Sequence, residues 1–191
     1  MLAFSGHKGL LGPQGTGGLY VGEGCQIAPR RYGGTGSLSE YDRQPDFLPD
    51  KLESGTPNTP GIAGLLQGVQ FIREIGIENI RNREGYLSQK LLEGLKTIDG
   101  VVIHSPELEQ ERTGTVAFSI TKMDSSLVAH RLDKEFDIAC RAGLHCAPWA
   151  HQCLGTLKTG AIRFSPGYFT TDDEILKTLH AVKHIVQGEE E

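Results

Sequence analysis

The chain has 191 residues, 38% of them hydrophobic, and a formal net charge of −5. That length builds one ordinary domain, or one domain and part of another. The mild acidity argues against a partner that is nucleic acid or an anionic membrane, either of which would call for a basic patch, and no apolar run approaches the roughly 20 residues of a membrane span.

The first residues show no basic segment leading into an apolar stretch, so no signal peptide is expected. What they do show is Ala3-Phe4-Ser5-Gly6-His7-Lys8-Gly9, a lysine between a short apolar run and a glycine-rich turn. A lysine near a terminus is usually only a solvated charge. Seated beside glycines, where a ligand can approach the backbone, it can instead condense with a carbonyl cofactor, and Ser5 and His7 can donate to a cofactor phosphate. Eleven of the 25 glycines lie in the first 36 residues, so this region is expected to be turns and close backbone approaches. Gly18–Val21 reads as a short strand. Gly33-Gly34-Thr35-Gly36-Ser37 reads as a loop that is either an ordinary turn, the better reading in isolation, or a cradle for an anion. It lacks the Lys-Ser/Thr ending of a P-loop and the glycine spacing of a dinucleotide fold. Residues 38–58 are polar, proline-dotted and without periodicity.

Thr59-Pro60 opens a helix, with Thr59 as N-cap and Ile62, Leu65, Leu66, Val69 and Ile72 on one face. A second helix is expected over about Ile77–Ile98, carried by Ile80, Leu87, Leu91, Leu95 and Ile98. Strands are expected at Val101–His104, Thr115–Ile120, Ile138–Arg141 and Ala161–Ser165, with a helix at Ser125–Phe136. A last helix starts at the capping box Thr171-Asp172-Asp173-Glu174 and presents Ile175, Leu179, Val182 and Val186, before a frayed tail at Gly188–Glu191. From about residue 75 onward these elements form a compact α/β unit, helices on one face of a mainly antiparallel sheet of about four strands. The first 60 residues cannot bury a core on their own.

Two later segments carry chemistry. In Arg141-Ala142-Gly143-Leu144-His145-Cys146-Ala147-Pro148 a glycine turn ends on His-Cys, and a short helix can start at Pro148. A thiol there is either a buried inert cysteine, the commonest fate, or a nucleophile whose pKa is lowered by backbone N–H groups and a nearby cation. Zinc on His145, Cys146, His151 and Cys153 is disfavoured, because the spacing is no Cys-x-x-Cys knuckle. The other three thiols differ from Cys146: Cys140 falls in an expected strand, and Cys25 and Cys153 lack a glycine turn just ahead of them. With so few cysteines no disulfide framework is expected, and the thiols suit a cytoplasmic location. Arg163 stands between apolar strand neighbours, where it needs either an internal carboxylate or the carboxylate of a substrate.

Ser-Gly-His-Lys, Gly-Gly-Thr-Gly-Ser, Glu53-Ser54-Gly55-Thr56-Pro57-Asn58-Thr59, Arg-Ala-Gly-Leu-His-Cys-Ala and Ile-Arg-Phe-Ser-Pro occur in this order. On these motifs the chain resembles, over essentially all 191 residues, the C-terminal half of the cysteine desulfurases, class V aminotransferases of the pyridoxal-phosphate-dependent fold type I. The resemblance implies an α/β fold in three parts: residues 1–60 from the large cofactor-binding domain, 61–98 as linking helices, and 99–191 as the small C-terminal α/β domain. It implies pyridoxal 5′-phosphate as cofactor, with Lys8 bonded to it and then moving protons at the substrate α-carbon. Ser5 and His7 are implied as phosphate ligands, and Thr35 as a ligand of the phosphate in the partner subunit of a homodimer. Cys146 matches the nucleophile that takes sulfur from L-cysteine as a persulfide, Arg163 the clamp on the substrate carboxylate, and Asn58 a residue of the active-site wall. A protein that accepts the sulfur is a further implied partner. The residue stacking on the cofactor ring and the acid paired with its pyridine nitrogen are expected outside these 191 residues, so the 191-residue chain alone is not expected to turn over cysteine. The alternatives are a class V aminotransferase or selenocysteine-lyase-like enzyme that does not use Cys146 as sulfur acceptor, or an inactive dimerisation module.

Overall fold

In a computed structural model that describes residues 1–34, 36–106 and 113–188, the chain divides into two units, Met1–Ile77 and Glu78–Glu191. The expected frayed tail falls mostly on residues 189–191, outside the described residues.

The first unit begins with strand β1 (Leu2–Ser5), paired antiparallel to β2 (Gly17–Tyr20) so that Ser5 faces Gly17 and Leu2 faces Tyr20. A 3-10 turn at Gly36–Leu38 and helix α1 (Thr59–Ile75) complete it. The helix is capped by Asn58, one residue before the expected Thr59: the Asn58 carboxamide oxygen accepts from the Gly61 N–H at 3.2 Å. The packed face of α1 agrees with the expected one only in part. Ile62 and Leu66 are exposed, and the buried positions are Gly61 and Gly68. A β-carbon on Gly68 would lie 2.4 Å from the Leu10 carbonyl oxygen, so this helix is approached by backbone, which only a missing side chain permits. Leu65, Val69 and Ile72 of the expected face are half-buried beside Gly61 and Gly68, so periodicity finds the side of the helix that packs but gives no weight to the glycines at its closest approaches. Every hydrophobic side chain that is fully buried among the described residues belongs to the second unit.

That second unit is built on helix α2 (Ile77–Lys96), strands β3 (Val101–Ile103) and β4 (Val116–Ile120), helix α3 (Ser125–Phe136), strand β5 (Arg141–Gly143), the short helix α4 (Pro148–Cys153), strand β6 (Ala161–Phe164) and helix α5 (Asp172–Gln187). The strands form one antiparallel sheet in the order β3-β4-β6-β5. Period-2 alternation sends Val116, Phe118 and Ile120 of β4, and Ile162 and Phe164 of β6, into a core completed by Leu87, Leu91, Leu92 and Leu95 of α2, Val128 and Leu132 of α3, and Ile175, Val182 and Ile185 of α5. Phe118 and Phe164 stack at 5.4 Å between ring centroids. Helices therefore cover one face, and the other face carries Ala117, Ser119 and Arg163.

The ends of α3 fall where expected, and Asp124 caps it by accepting from the Ser126 N–H at 2.8 Å. The strand after it is displaced: the ladder runs over Arg141–Gly143 rather than Ile138–Arg141. Asp137 ends α3 in the left-handed region (φ 56°), and the Ile138 N–H donates to the Leu132 carbonyl at 3.0 Å, so the start of the apolar stretch is committed to closing the helix.

The capping box forms as expected, with Thr171 and Glu174 bonded reciprocally. Its second residue, Asp172, ties α5 to α2: the carboxylate accepts from Arg83 Nη1 at 3.0 Å, and from Lys90 Nζ and the Tyr86 hydroxyl at 2.8 Å each. These three donors sit on one helix face, and their hydrogen bonds, that of Lys90 foremost, hold the Asp172 carboxyl far below the ordinary carboxylate range. A depressed folded-state pKa contributes stability above the unfolded carboxylate value and loses it as pH falls below about 4. Asp172→Asn should therefore lower the melting temperature at pH 7, and the gap to wild type should narrow at pH 3. Thermal melts of both proteins at the two pH values check this, and a gap that is independent of pH would refute the assignment.

Candidate active site

The lysine motif lies at a turn in the first unit. Strand β1 ends at Ser5, and Gly6 is locked by two backbone bonds, its N–H donating to Thr16 O and its carbonyl accepting from the Gly12 N–H, both at 2.8 Å. A β-carbon at Gly6 would lie 2.3 Å from Thr16 Oγ1, so the turn admits no side chain there. Ser5, His7 and Lys8 are exposed on this locked turn, and no side chain among the described residues bonds theirs. The Lys8 carbonyl accepts from the Leu11 N–H at 2.9 Å, which fixes the backbone that bears the amine.

The glycine loop is braced in the same unit. Gly33, Gly34 and Gly36 all have positive φ (106°, 58° and 61°), Gly34 O accepts from the Gly55 N–H at 3.1 Å, and Gln44 Nε2 donates to Gly33 O at 3.2 Å. Gln44 is buried, and sequence reasoning passed over it because it sits in a stretch without periodicity. Thr35 itself lies outside the described residues. Asn58 is the N-cap of α1.

The second unit gathers the other chemistry at one sheet edge. In the β5–β6 pair Arg141 stands directly opposite Arg163, so their side chains share a face. Two like charges placed this way repel each other, and the arrangement is relieved by an anion. Arg141 Nη2 donates to the Cys146 sulfur at 3.0 Å, and Arg163 Nε is buried with no partner among the described residues. Cys146 is exposed, whereas Cys140 is half-buried, and burial pushes its thiol up to about 11. The shielding expected for Cys140 is thus present, though it comes from packing against the core and not from a place in the ladder.

His145 precedes the thiol and bonds through Nε2 to the Arg141 carbonyl at 3.1 Å, which requires the proton on Nε2. Desolvation pushes His145 below the ordinary imidazole value, the charges of Arg163, His151 and Arg141 push the same way, and the bond to the Arg141 carbonyl opposes them. At neutral pH the ring is uncharged and can take a proton. Behind it lie two more histidines, His151, which the sequence offered only as a disfavoured zinc ligand, and His104, for which it offered no role. The His151 ring is 5.3 Å from that of His145, and His104 bonds through Nε2 to the Ser119 hydroxyl at 2.9 Å on the same sheet face. Among the described residues no group of His, Cys, Asp and Glu is placed to hold a metal ion, and no helix is long and apolar enough to cross a membrane.

The chain is similar to known proteins over nearly its whole length. A probable cysteine desulfurase of Methanothermobacter thermautotrophicus is 36% identical over 178 residues, covering 91% of this chain and 44% of that protein. A solved cysteine desulfurase from Thermococcus onnurineus superposes with a TM-score of 0.80 at 31% identity, over 97% of this chain and 46% of its own. One from Escherichia coli superposes with a TM-score of 0.81 at 27% identity, over 97% and 45%. The chain thus spans a little under half the length of the relatives it matches, and its α/β architecture is that of the fold type I transferases. The sequence pattern of the family described as aminotransferase class-V matches residues 1–177, and the chain belongs to that family.

Proposed function

We propose that the protein is a pyridoxal-phosphate-dependent cysteine desulfurase that takes sulfur from L-cysteine onto Cys146 and leaves alanine. The observation that carries this reading is the exposed Cys146 sulfur 3.0 Å from the Arg141 guanidinium, with an Arg163 on the same sheet face whose buried Nε has no partner among the described residues. A class V enzyme without a sulfur-acceptor role has no need of a thiol against a cation.

The residues present fit pyridoxal phosphate. An amine, a hydroxyl and an imidazole leave one locked turn at Lys8, Ser5 and His7, and none is engaged by another side chain among the described residues. Lys8 would hold the cofactor through its aldehyde carbon, Ser5 and His7 would donate to its phosphate, and Thr35 would reach the phosphate in the second subunit of a homodimer. When bound, pyridoxal phosphate supplies an electron sink for the bonding pair of the substrate Cα–H. Lys8, as an amine, moves the proton at that carbon. Arg163 binds the substrate carboxylate through its planar fork, and Asn58 lines the wall while capping α1. The Cys146 thiolate attacks the substrate sulfur: an S–S bond forms, the Cβ–S bond breaks with its electron pair left on carbon, and Cβ takes a proton. Cysteine and one thiol become alanine and one persulfide. The persulfide then passes to an acceptor protein, and the reaction is placed in the cytoplasm, in keeping with four cysteines that form no disulfide.

Incubating the protein with stoichiometric pyridoxal phosphate, reducing with borohydride and mapping the adduct by peptide mass spectrometry should place it on Lys8. Lys8→Ala should remove it. An adduct found elsewhere, or one that persists in Lys8→Ala, would sink the lysine assignment.

A further inference from the structure

We propose that His151, latched to Thr156, is the positioning residue that holds the Cys146 turn in its reactive conformation. The inference rests on the reading of Cys146 as the reactive thiol.

The turn is strained. His145 and Cys146 are consecutive non-glycine residues with φ of 54° and 58°. Each such left-handed residue costs about 1–2 kcal/mol, and the conformation persists only where the surroundings over-determine it. Three contacts do so. The Ala147 N–H closes the turn on the Leu144 carbonyl at 2.8 Å, His145 bonds to the Arg141 carbonyl, and the His145 ring lies against the ring of His151.

His151 is the contact that anchors the rest. Helix α4 has six residues, too few to be stable by itself. His151 is its one buried residue, at 4% exposure, whereas Trp149 two positions earlier is 80% exposed. The buried ring is fixed in turn: Nδ1 is 2.8 Å from Thr156 Oγ1, the Thr156 N–H returns to the His151 carbonyl at 2.9 Å, and the Gly160 N–H donates to the Thr156 carbonyl at 2.8 Å. A continuous path thus runs from the start of β6 through Thr156 and His151 to His145 and the thiol. The imidazole meets both at once, its ring against His145 and its Nδ1, on Cγ, against Thr156, which a leucine here could not do.

The test is alkylation of the full chain by limiting iodoacetamide, with the rate at each cysteine read by peptide mass spectrometry. Cys153, at the far end of α4, and Cys25 serve as references within the same molecule. Thr156→Val and His151→Phe should each slow Cys146 about fivefold, the equivalent of one net hydrogen bond, because the sulfur loses its place against Arg141. Cys153 should be unaffected, and Thr156→Ser should restore the wild-type rate. The inference is overturned if Cys146 keeps its rate or speeds up in both variants, or if Cys146 and Cys153 change together, which would mean that α4 has simply come loose. A wild-type Cys146 that reacts no faster than Cys25 and Cys153 would instead remove the reading of Cys146 as the reactive thiol, and the inference would fall with it.

Discussion

Replacing Cys146 with alanine should abolish alanine formation from cysteine in the full-length enzyme while leaving the borohydride-trapped adduct on Lys8 intact. The reason lies in how the two groups are held. Lys8 stands on a turn braced within the first unit, and Cys146 on a turn braced by Arg141, His145 and α4 of the second. Nothing in the bracing of the first turn depends on the thiol. Without a sulfur nucleophile the substrate Cβ–S bond has no acceptor, and the rate should fall to the uncatalysed background, a loss of roughly a thousandfold or more on the scale of removed nucleophiles. Alanine assayed by mass spectrometry, alongside the trapped adduct, separates the outcomes. Retained alanine production would favour a lyase or aminotransferase. Loss of the adduct would make Cys146 a structural residue.

The second large effect concerns stability. Phe118 is fully buried at the centre of the sheet and stacks on Phe164. Truncation to alanine should cost about 3–5 kcal/mol through lost transfer energy and a cavity among packed neighbours, a large part of what a domain of this size has to spare. A drop in melting temperature of roughly 10 °C or more follows. Ile62→Ala, at an exposed position on α1, should change stability by no more than about 0.5 kcal/mol. Urea melts of the two variants decide the matter, and equal effects would contradict the assignment of the core to the second unit.

The contrast between these two isoleucine- and phenylalanine-bearing elements also shows what a sequence of this kind makes legible. Helices α2, α3 and α5 could be read because their buried residues are largely branched or aliphatic side chains at helical spacing, and α5 also because Thr171 opens a capping box. Strands β4 and β6 could be read from alternation. The face of α1 could be read only in part: Leu65, Val69 and Ile72 are half-buried as expected, but the closest approaches are at Gly61 and Gly68, and burial of bare backbone leaves no hydrophobic signal. The start of β5 was obscured because Ile138 and Cys140 alternate as strand residues do while the chain there is still closing α3. Strand β1 was visible only as a short apolar run, because its pairing with β2 is set by tertiary structure. At the site, Arg141, His145, Cys146 and Arg163 were all singled out from local sequence. The register that sets Arg141 across from Arg163 was not available, since it depends on a pairing between segments some twenty residues apart. Thr156 gave no signal at all, being a threonine in a loop.

The two-stranded ribbon β1–β2 has a consequence of its own. Among the described residues β1 and β2 pair only with each other, a two-stranded ribbon is by itself marginal in water, and in these 191 residues Leu2, Phe4, Leu19 and Tyr20 are exposed along it. Its amides should exchange with solvent deuterium far sooner than those of β4 and β6, which sit over a dry core. The lysine turn therefore occupies the soft end of a stability gradient, and any ligand that binds only its ordered form adds its own binding free energy to the order of that end. Occupancy of the lysine turn should accordingly appear as slower exchange in residues 2–20, with the second unit almost unmoved.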